Sequence, residues 1–462
     1  MAIIDVYRYD PISKDYSALM CVCCVSAPDA GRPAPLRTWR LPQEHAVSTK
    51  GIRMTESAQT TESRTVPPAR PYPFSVPDRL VVDPTYGELR ENEPMTRVQL
   101  PYGEEAWLAT RYEDVRTVVG DVRFGRAPAV ERDEPRLTPR QQYSGMLTMD
   151  PPDHTRLRRL VAKAFTARRV EALRPRTQEI ADRLVDNMVG LGPPADLVEH
   201  VATPLPIQVI CELLGVPYAD RDRFHIWSEA IVSTTSLPLE TIQEYLNNLW
   251  GYMGGLVAER RREPGIDDLL GALVRARDEN QDRLSETELV ELAGGLLAAG
   301  HETTVTQIPN FVYVLLHNPD QLARLRADPS LVPAAVEELL RYVPLGVGSS
   351  FARYAKEDVE VGGVLVRAGE PVLGSLSSAN RDGTVFADPD RLDLDREQNP
   401  HLGFGHGVHH CVGAQLARME LQVAVSTIVT RLPGLRLAVP EEELQWKRGM
   451  LVRGLLGMPV AW

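Results

Sequence analysis

Residues 404–413 read FGHGVHHCVG and surround one cysteine, Cys411, with three glycines and three histidines. The apolar residues that follow recur at helical spacing, at Val412, Leu416, Met419 and Val423. This spacing predicts a helix that begins just after the cysteine. Unpaired backbone amides and the positive end of the helix dipole stabilise a thiolate at such a position. We therefore expect the thiol of Cys411 to be an anion.

The three glycines, Gly405, Gly407 and Gly413, give this loop a permissive backbone. Without a Cβ, each can adopt conformations that other residues avoid and can lie close to a flat ligand. An isolated cysteine is most often a small buried apolar residue, and glycines commonly mark turns. The density of glycine and histidine around this one thiol instead favours a loop that binds a planar cofactor.

Zinc is the alternative ligand of this segment, because four histidines lie near Cys411. They are His401, His406, His409 and His410. Zinc sites usually combine two ligand pairs, each with members two to four residues apart. The segment has a single cysteine, and no second cluster of cysteine and histidine has that spacing. The sequence therefore disfavours zinc, although metal geometry is only weakly specified by sequence.

The composition restricts the function classes. The chain has 462 residues, of which 43% are hydrophobic, so it can bury a sizeable core. Its formal net charge of −12 argues against general affinity for nucleic acid or anionic lipid. The five cysteines do not resemble a secreted disulfide framework, so we expect a cytoplasmic location. The longest apolar stretch near the start, residues 18–27, is about half of the ~20 residues that span a bilayer, so no membrane association is expected.

The composition changes once along the chain. Residues 1–75 are rich in Pro, Ser and Thr and lack a sustained apolar period, which predicts a disordered N-terminal extension. Three of the five cysteines lie in residues 1–53, ahead of Met54, and we expect that segment to be an upstream extension or the result of a wrongly chosen start codon. Residues 76–462 are expected to form one catalytic domain.

Helical signals dominate the second half of the chain. Residues 285–288, SETE, form a capping box, and the apolar run that follows reaches His317 before Asn318-Pro319 ends it. Within this helix, Gly300 and Pro309 are expected to introduce some irregularity. Strand-like segments are short and few, and they cover residues 106–110, 359–361, 364–366 and 372–374. The sequence predicts a mainly α fold with small β-sheets, an α+β arrangement.

The segment FGHGVHHCVGAQLAR resembles the cysteine-ligand loop of the cytochrome P-450 superfamily, the haem-thiolate monooxygenases. The resemblance implies a triangular single-domain fold and a haem b whose iron has Cys411 as its axial ligand. It also implies that Phe404, Gly405 and Gly413 contact the haem. By the same resemblance, His409 should hydrogen-bond a haem propionate.

A second motif lies inside the long helix, where residues 299–304 read AGHETT. The small residues Ala299 and Gly300 would let the helix pass close to a flat cofactor. Glu302 and Thr303 place a carboxylate and a hydroxyl side by side, and such a pair can relay protons. The segment resembles the oxygen-binding motif of the family, which implies that Glu302 and Thr303 are catalytic and that Ala299 and Gly300 contact the haem.

Three further patterns resemble those of the family. His154 and Arg158 share a helix face at i and i+4, and by the resemblance they contact haem propionates, as does Arg353. Glu338 and Arg341 resemble the Glu-x-x-Arg pair, which braces the chain leading to the cysteine loop. The basic residues after Arg158 would form a dock for an acidic ferredoxin on a chain that is otherwise acidic; they are Arg159, Lys163, Arg168 and Arg169.

The resemblance implies insertion of one oxygen atom from O2 into a small hydrophobic molecule, by hydroxylation or epoxidation, in the tailoring of a natural product. Electrons would come from NAD(P)H through a ferredoxin reductase and a ferredoxin, and the protein is expected to be a monomer. Substrate contacts are expected from residues 125–147, 228–243, 343–350 and the helix near Ala299. Two alternatives stay open: a haem-thiolate peroxygenase or isomerase, in which the acid and alcohol are usually altered, and a haem-binding sensor.

Overall fold

Helices make up most of the fold. A computed structural model describes residues 68–141, 145–263, 265–266, 268–279, 284–349 and 351–462. The helices are α1 (Thr85–Asn92), α2 (Tyr112–Gly120), α3 (Asp153–Ala162), α4 (Ala167–Leu191), α5 (Pro204–Leu214), α6 (Arg221–Val232), α7 (Leu239–Arg262), α8 (Leu269–Glu279), α9 (Glu286–Leu316), α10 (Pro319–Ala327), α11 (Val332–Tyr342), α12 (Leu376–Ala379) and α13 (Ala414–Arg431). Across these described ranges, every helix is too short or too polar to cross a lipid bilayer.

In the described residues, the strands are short and form three small sheets. They are β1 (Arg70–Pro71), β2 (Met95–Gln99), β3 (Ala106–Ala109), β4 (Phe124–Gly125), β5 (Ala195–Asp196), β6 (Arg353–Ala355), β7 (Val359–Val361), β8 (Val364–Val366), β9 (Pro371–Gly374), β10 (Arg436–Leu437) and β11 (Pro459–Ala461). The largest sheet has the order β1-β2-β3-β9-β6-β4, and the others are β10-β11-β5 and β7-β8. The β1/β2 and β3/β9 pairs are parallel, and the rest are antiparallel. The predicted α+β class is therefore confirmed.

Helix α9 is the central helix of the fold, and its ends follow the local sequence signals. The Ser285 hydroxyl accepts a hydrogen bond from the Glu288 amide at 3.2 Å, and the Ser285 amide donates to Glu288 Oε2 at 2.8 Å, which completes the predicted capping box. The helix is continuous to Leu316 although it contains Gly300 and Pro309, so the expected irregularity does not interrupt it. Packing against α5, α7 and α13 on several sides offsets the poor helix propensity of these two residues.

The sequence predicted some of the short strands and missed others. The predicted 359–361 and 364–366 segments are β7 and β8, and the segments at 106–110 and 372–374 correspond to β3 and β9 within one residue. Arg70 and Pro71 lie within the predicted N-terminal extension, yet they form β1 through pairing with Val98 and Gln99. Residues 1–53 lie outside the described residues, and the division of the chain at residue 75 stays a prediction.

A buried ion pair positions the segment that leads to Cys411. Arg341 and Glu338 are 0% and 1% exposed and lie 2.7 Å apart on α11. The guanidinium also donates to the carbonyls of Asn380, Pro389 and Arg391 at 2.7–3.1 Å. The carboxylate in turn accepts from the amide of Asp393 at 2.9 Å and from Arg396 at 3.0 Å. Residues 380–396 are thereby tied to α11, as expected for a structural pair.

Candidate active site

Most of the predicted site residues meet at one cavity of about 460 Å³. From α9 the cavity wall includes Ala299, Gly300 and Thr303. From the segment around Cys411 it includes Phe404, Gly405, His409 and Gly413, and Arg353 of β6 completes the predicted set. Ala299 and Cys411 both face this cavity and have exposed surface there. The predicted residues that do not reach the wall are His154, Arg158 and Glu302.

Two glycines of the cysteine loop have backbone conformations that other residues rarely adopt. Gly405 has φ +71° and Gly407 has φ +70°. A Cβ on Gly407 would lie 2.5 Å from Cα of Gly120, so this glycine also lets the loop approach the end of α2. The amide of Cys411 donates to the carbonyl of Phe404 at 2.9 Å, which closes the loop around the thiol.

Without a bound metal ion, the structure does not favour the expected anionic thiol at Cys411. Burial raises the pKa of the Cys411 thiol, while a hydrogen bond from the Gly413 amide and the charges of Arg158 and Arg418 act in the opposite direction without overcoming burial. The physical reason is that α13 begins only at Ala414, so the thiol lies ahead of the helix amides instead of among them. Coordination to a metal ion is what deprotonates such a thiol.

Buried hydrogen-bond donors without partners lie beside the cavity. His154 is 1% exposed, and neither of its ring nitrogens has a hydrogen-bond partner; the same is true of His409 Nε2. The two rings lie 4.4 Å apart. Burial, Arg353 and His154 lower the pKa of His409 to about 3, and burial and Arg126 lower the pKa of Arg353 to about 10. Because positive charges on these side chains would repel one another, the cluster suits an anionic partner. Haem carries two carboxylates that could fill this role.

Arg158 lies near His154, where burial and the Arg158 charge lower the pKa of the imidazole, but Arg158 makes its hydrogen bond to the cysteine loop. Its guanidinium donates to the carbonyl of His410, directly ahead of Cys411. The i, i+4 spacing on α3 permits the pairing but does not enforce it, because the cysteine loop offers Arg158 a closer acceptor. In this structure Arg158 therefore braces the loop, and His154 faces His409.

Gly300 has a different neighbour from the one that the sequence suggested. A Cβ on Gly300 would lie 2.5 Å from Ile210 Cδ1 of α5. The absence of a side chain therefore allows α5 to pack against α9, while the Gly300 backbone lines the cavity. One turn further along, the Thr303 hydroxyl donates to the carbonyl of Ala299 at 3.2 Å and lies at the cavity wall.

Glu302 points away from the cavity, toward α6. Its carboxylate, 3% exposed, accepts a hydrogen bond from Ser228 Oγ at 3.2 Å, and His301 Nε2 and His225 Nδ1 lie 3.3 and 3.4 Å from its Oε1. Burial would raise the pKa of Glu302, but interactions with His225 and His301 outweigh it and hold the pKa well below its usual range. Adjacent residues on a helix project about 100° apart, so Glu302 and Thr303 face different neighbours.

Several wall residues have no motif that could have identified them. Val82, Leu296, Gln307 and Val452 line the cavity, and so do residues of the predicted 343–350 segment. No residue of 228–243 is part of this wall. The contribution of Val82 and Val452 depends on long-range packing of the chain ends, which local patterns do not specify.

The zinc alternative at the cysteine loop gains no support. Within the described ranges, the only three His, Cys, Asp or Glu side chains whose ligand atoms lie within 4.8 Å of one another are His225, His301 and Glu302. The histidines around Cys411 do not form such a group in the part of the chain that the structure covers.

Comparison with known proteins places these features in context. The family model described as Cytochrome P450 matches residues 233–443. The mycinamicin IV hydroxylase/epoxidase of Micromonospora griseorubida is 59% identical over 85% of this chain and 98% of its own. The nocardicin C N-oxygenase of Nocardia uniformis subsp. tsuyamanensis is 55% identical over 85% of this chain and 98% of its own. A solved structure of the mixed-function P450 MycG has a TM-score of 0.79 at 58% identity and covers 86% of this chain and 100% of that one.

Proposed function

Because the chain belongs to the cytochrome P450 family, whose enzymes are haem-dependent monooxygenases, we propose that it inserts one oxygen atom from O2 into a small hydrophobic natural product. The similar mycinamicin and nocardicin enzymes tailor natural products by hydroxylation, epoxidation or N-oxygenation according to their names. The single observation that carries the proposal is that Cys411 and Thr303 line one cavity. Haem b, when bound to a cysteine thiolate, supplies the activation of O2.

The residues present suit this cofactor. Cys411 would be the iron ligand, and the glycine-rich loop around it leaves its sulfur accessible from the cavity. His154, His409 and Arg353 would hold the two carboxylates, since their donors lack partners or are crowded by other cations. Arg158 supports this arrangement from the other side of the loop through the carbonyl of His410.

Two groups on α9 would manage protons. Thr303 Oγ1 lies at the cavity wall and can hold a proton there or position a water, because its present acceptor is only the Ala299 carbonyl. The Glu302 carboxylate would act from behind the helix, where His225 is half-buried and connects the carboxylate to the surface. The proton would therefore enter between α6 and α9 through His225 and Glu302, and Thr303 would hold a proton at the cavity wall.

The cavity wall matches an apolar substrate with a few polar groups. Leu296, Val343, Leu345 and Val452 provide apolar contact, and Gln307 provides an amide that can hydrogen-bond a substrate. A mainly apolar molecule with a group that can hydrogen-bond an amide suits this combination.

An acidic ferredoxin, reduced by NAD(P)H through a reductase, would supply the electrons. Arg159 on α3, Lys163 directly after α3, and Arg168 and Arg169 at the start of α4 are all exposed, and all four follow Arg158, which contacts the cysteine loop. A positive surface on a chain of net charge −12 steers a negatively charged partner to one face. The protein would work as a monomer with this partner.

The test measures how tightly reductant use is coupled to product. In Thr303→Ala, haem content, substrate binding and reduction should be retained, while product per NAD(P)H falls several-fold and hydrogen peroxide rises. Thr304→Ala is the matched control, since Thr304 also lines the cavity but lies one residue further along α9. If Thr303→Ala couples as tightly as the parent, Thr303 does not hold the proton and this part of the proposal fails.

A further inference from the structure

Three side chains outside the haem cavity converge between α6 and α9. His225 belongs to α6, and His301 and Glu302 belong to α9. Glu302 Oε1 lies 3.4 Å from His225 Nδ1 and 3.3 Å from His301 Nε2. None of the three lines the haem cavity. The cluster is therefore a separate feature of the fold.

The ring nitrogens of both histidines are directed at the Glu302 carboxylate. His301 Nδ1 lies 2.7 Å from the carbonyl of Leu297, which can only accept, so Nδ1 carries the ring hydrogen of the neutral imidazole. His301 Nε2 is then a lone pair directed at Ser228 Oγ, 3.0 Å away, and at the Glu302 carboxylate. Ser228 has one hydroxyl hydrogen to share between these two acceptors. His225 Nδ1 is buried and has no hydrogen-bond partner.

The surrounding charge also favours a cation. Glu229 of α6 interacts electrostatically with Glu302. The nearby cation is Lys447, whose Nζ is 3.0 Å from Thr306 Oγ1 and which interacts with both carboxylates. Two carboxylates, those of Glu229 and Glu302, therefore face one ammonium group, that of Lys447.

We propose that His225, His301 and Glu302 bind a zinc ion that joins α6 to α9. Two imidazole nitrogens and one carboxylate oxygen are a common zinc ligand set. With metal–ligand bonds of about 2.0–2.1 Å, neighbouring ligand atoms of a tetrahedral zinc lie roughly 3.3 Å apart, which matches the distances from Glu302 Oε1 to both nitrogens. The Leu297 carbonyl accepts a hydrogen bond from His301 Nδ1 and so orients the ring. Backbone carbonyls commonly orient zinc-binding histidines in this way.

The site also has a route for the ion to enter. The side chain of His225 is 33% exposed, whereas those of His301 and Glu302 are 0% and 3% exposed. Zinc can therefore reach His225 from solvent, and water can occupy the fourth coordination position. Zinc bound here would occupy Glu302 and His225, which are also the proposed proton entry, so the zinc measurement below tests this site separately from the coupling test on Thr303.

The experiment measures zinc in the haem-loaded full chain. The protein is treated with a chelator, incubated with excess ZnCl2 and desalted, and zinc and iron are then counted together by plasma mass spectrometry. We expect about one zinc per haem iron in the parent and a Tm that rises by about 3 °C at zinc concentrations roughly 100-fold above Kd. His225→Gln should retain haem but lose both the zinc and the rise in Tm.

A control and a direct localisation complete the test. His317→Gln removes a histidine from the C-terminal end of the same helix, where it pairs with Glu441, and should keep the zinc. Anomalous diffraction at the zinc edge should show a peak between His225, His301 and Glu302. The proposal is overturned if the parent retains no zinc, which would mean that a shared proton satisfies the cluster. It is also overturned if His225→Gln keeps the zinc or if the peak lies elsewhere.

Discussion

Replacing Gly300 with alanine tests whether this glycine serves helix packing or cofactor contact. The added Cβ would lie 2.5 and 2.8 Å from Cδ1 and Cγ1 of Ile210, and overpacking of a core typically costs about 1–3 kcal/mol. Alanine also gains about 1 kcal/mol over glycine in helix propensity. Gly295→Ala on the same helix is the matched control, because nothing lies within 4 Å of its added Cβ. The propensity gain cancels between the two variants, so Gly300→Ala should be less stable than Gly295→Ala by about 1–3 kcal/mol.

The assay is the apparent Tm of the haem-loaded protein, measured by circular dichroism at one heating rate, since a chain of this size need not unfold in two states. With about 2.1 cal/mol/K of unfolding entropy per residue over roughly 400 residues, 1 kcal/mol shifts Tm by about 1 °C. The two alanine variants should therefore differ by about 1–4 °C. Both should bind haem as the parent does.

The same substitution in an Ile210→Ala variant tests whether the crowding by Ile210 causes the loss of stability. Ile210→Ala removes both crowded atoms and costs about 2–5 kcal/mol by itself, and its Cβ would lie 3.7 Å from the new methyl group, an ordinary contact. In this background Gly300→Ala should be stabilising, as Gly295→Ala is in the parent. Equal Tm values for the two alanine variants, or loss of haem in Gly300→Ala alone, would show that the glycine is required for the cofactor and not for α5.

Three further outcomes are expected. Cys411→Ser should abolish the characteristic spectrum of the reduced, carbon monoxide-bound protein, because a neutral hydroxyl is a far weaker iron ligand; an unchanged spectrum would contradict the ligand assignment. Reversing the charges of Arg159 and Lys163 together should raise the ferredoxin concentration for half-maximal turnover in a salt-dependent way. Peroxide-driven turnover should stay constant. An unaltered ferredoxin titration would contradict the proposed docking surface. The hydrogen bond from Arg156 lowers the pKa of Glu288 to about 2, so its contribution to stability is present above pH ~4.5 and is lost as the pH falls toward 2; the Tm difference between the parent and Glu288→Gln should be largest near neutral pH and shrink in acid.

Local signals in the sequence predicted the parts of the structure that depend on a few neighbouring residues. The bounds of α9 followed from the capping box at Ser285 and the proline at 319, and both signals act within one helical turn. The cysteine loop was recognisable because its glycines and cysteine are contiguous. The fold class followed from the excess of helical over strand periodicity.

Features that depend on which helices meet could not be predicted in this way. Glu302 was expected beside Thr303 in one site, but its neighbour is His225, 77 positions earlier in the chain. Gly300 was expected to contact a cofactor, and its backbone does line the cavity, but only the packing of α5 shows that Ile210 also fills its Cβ position. The thiol of Cys411 was expected to be anionic because a helix begins just after it, whereas in the folded chain desolvation raises its pKa.

The ion pair of Glu338 and Arg341 has a consequence for laboratory evolution of the enzyme. All of its hydrogen-bond partners lie in α11 and residues 380–399, whereas much of the cavity wall comes from α9, residues 343–349 and Val452. Substitutions in those wall segments should therefore be accepted independently of the framework that presents Cys411. Insertions after Val343 should be accepted less readily than substitutions. This stretch directly follows the C-terminal end of α11, so a change in its length would displace Arg341. Combinatorial libraries aimed at new substrates should vary side chains at 343–349 and keep the number of residues there constant.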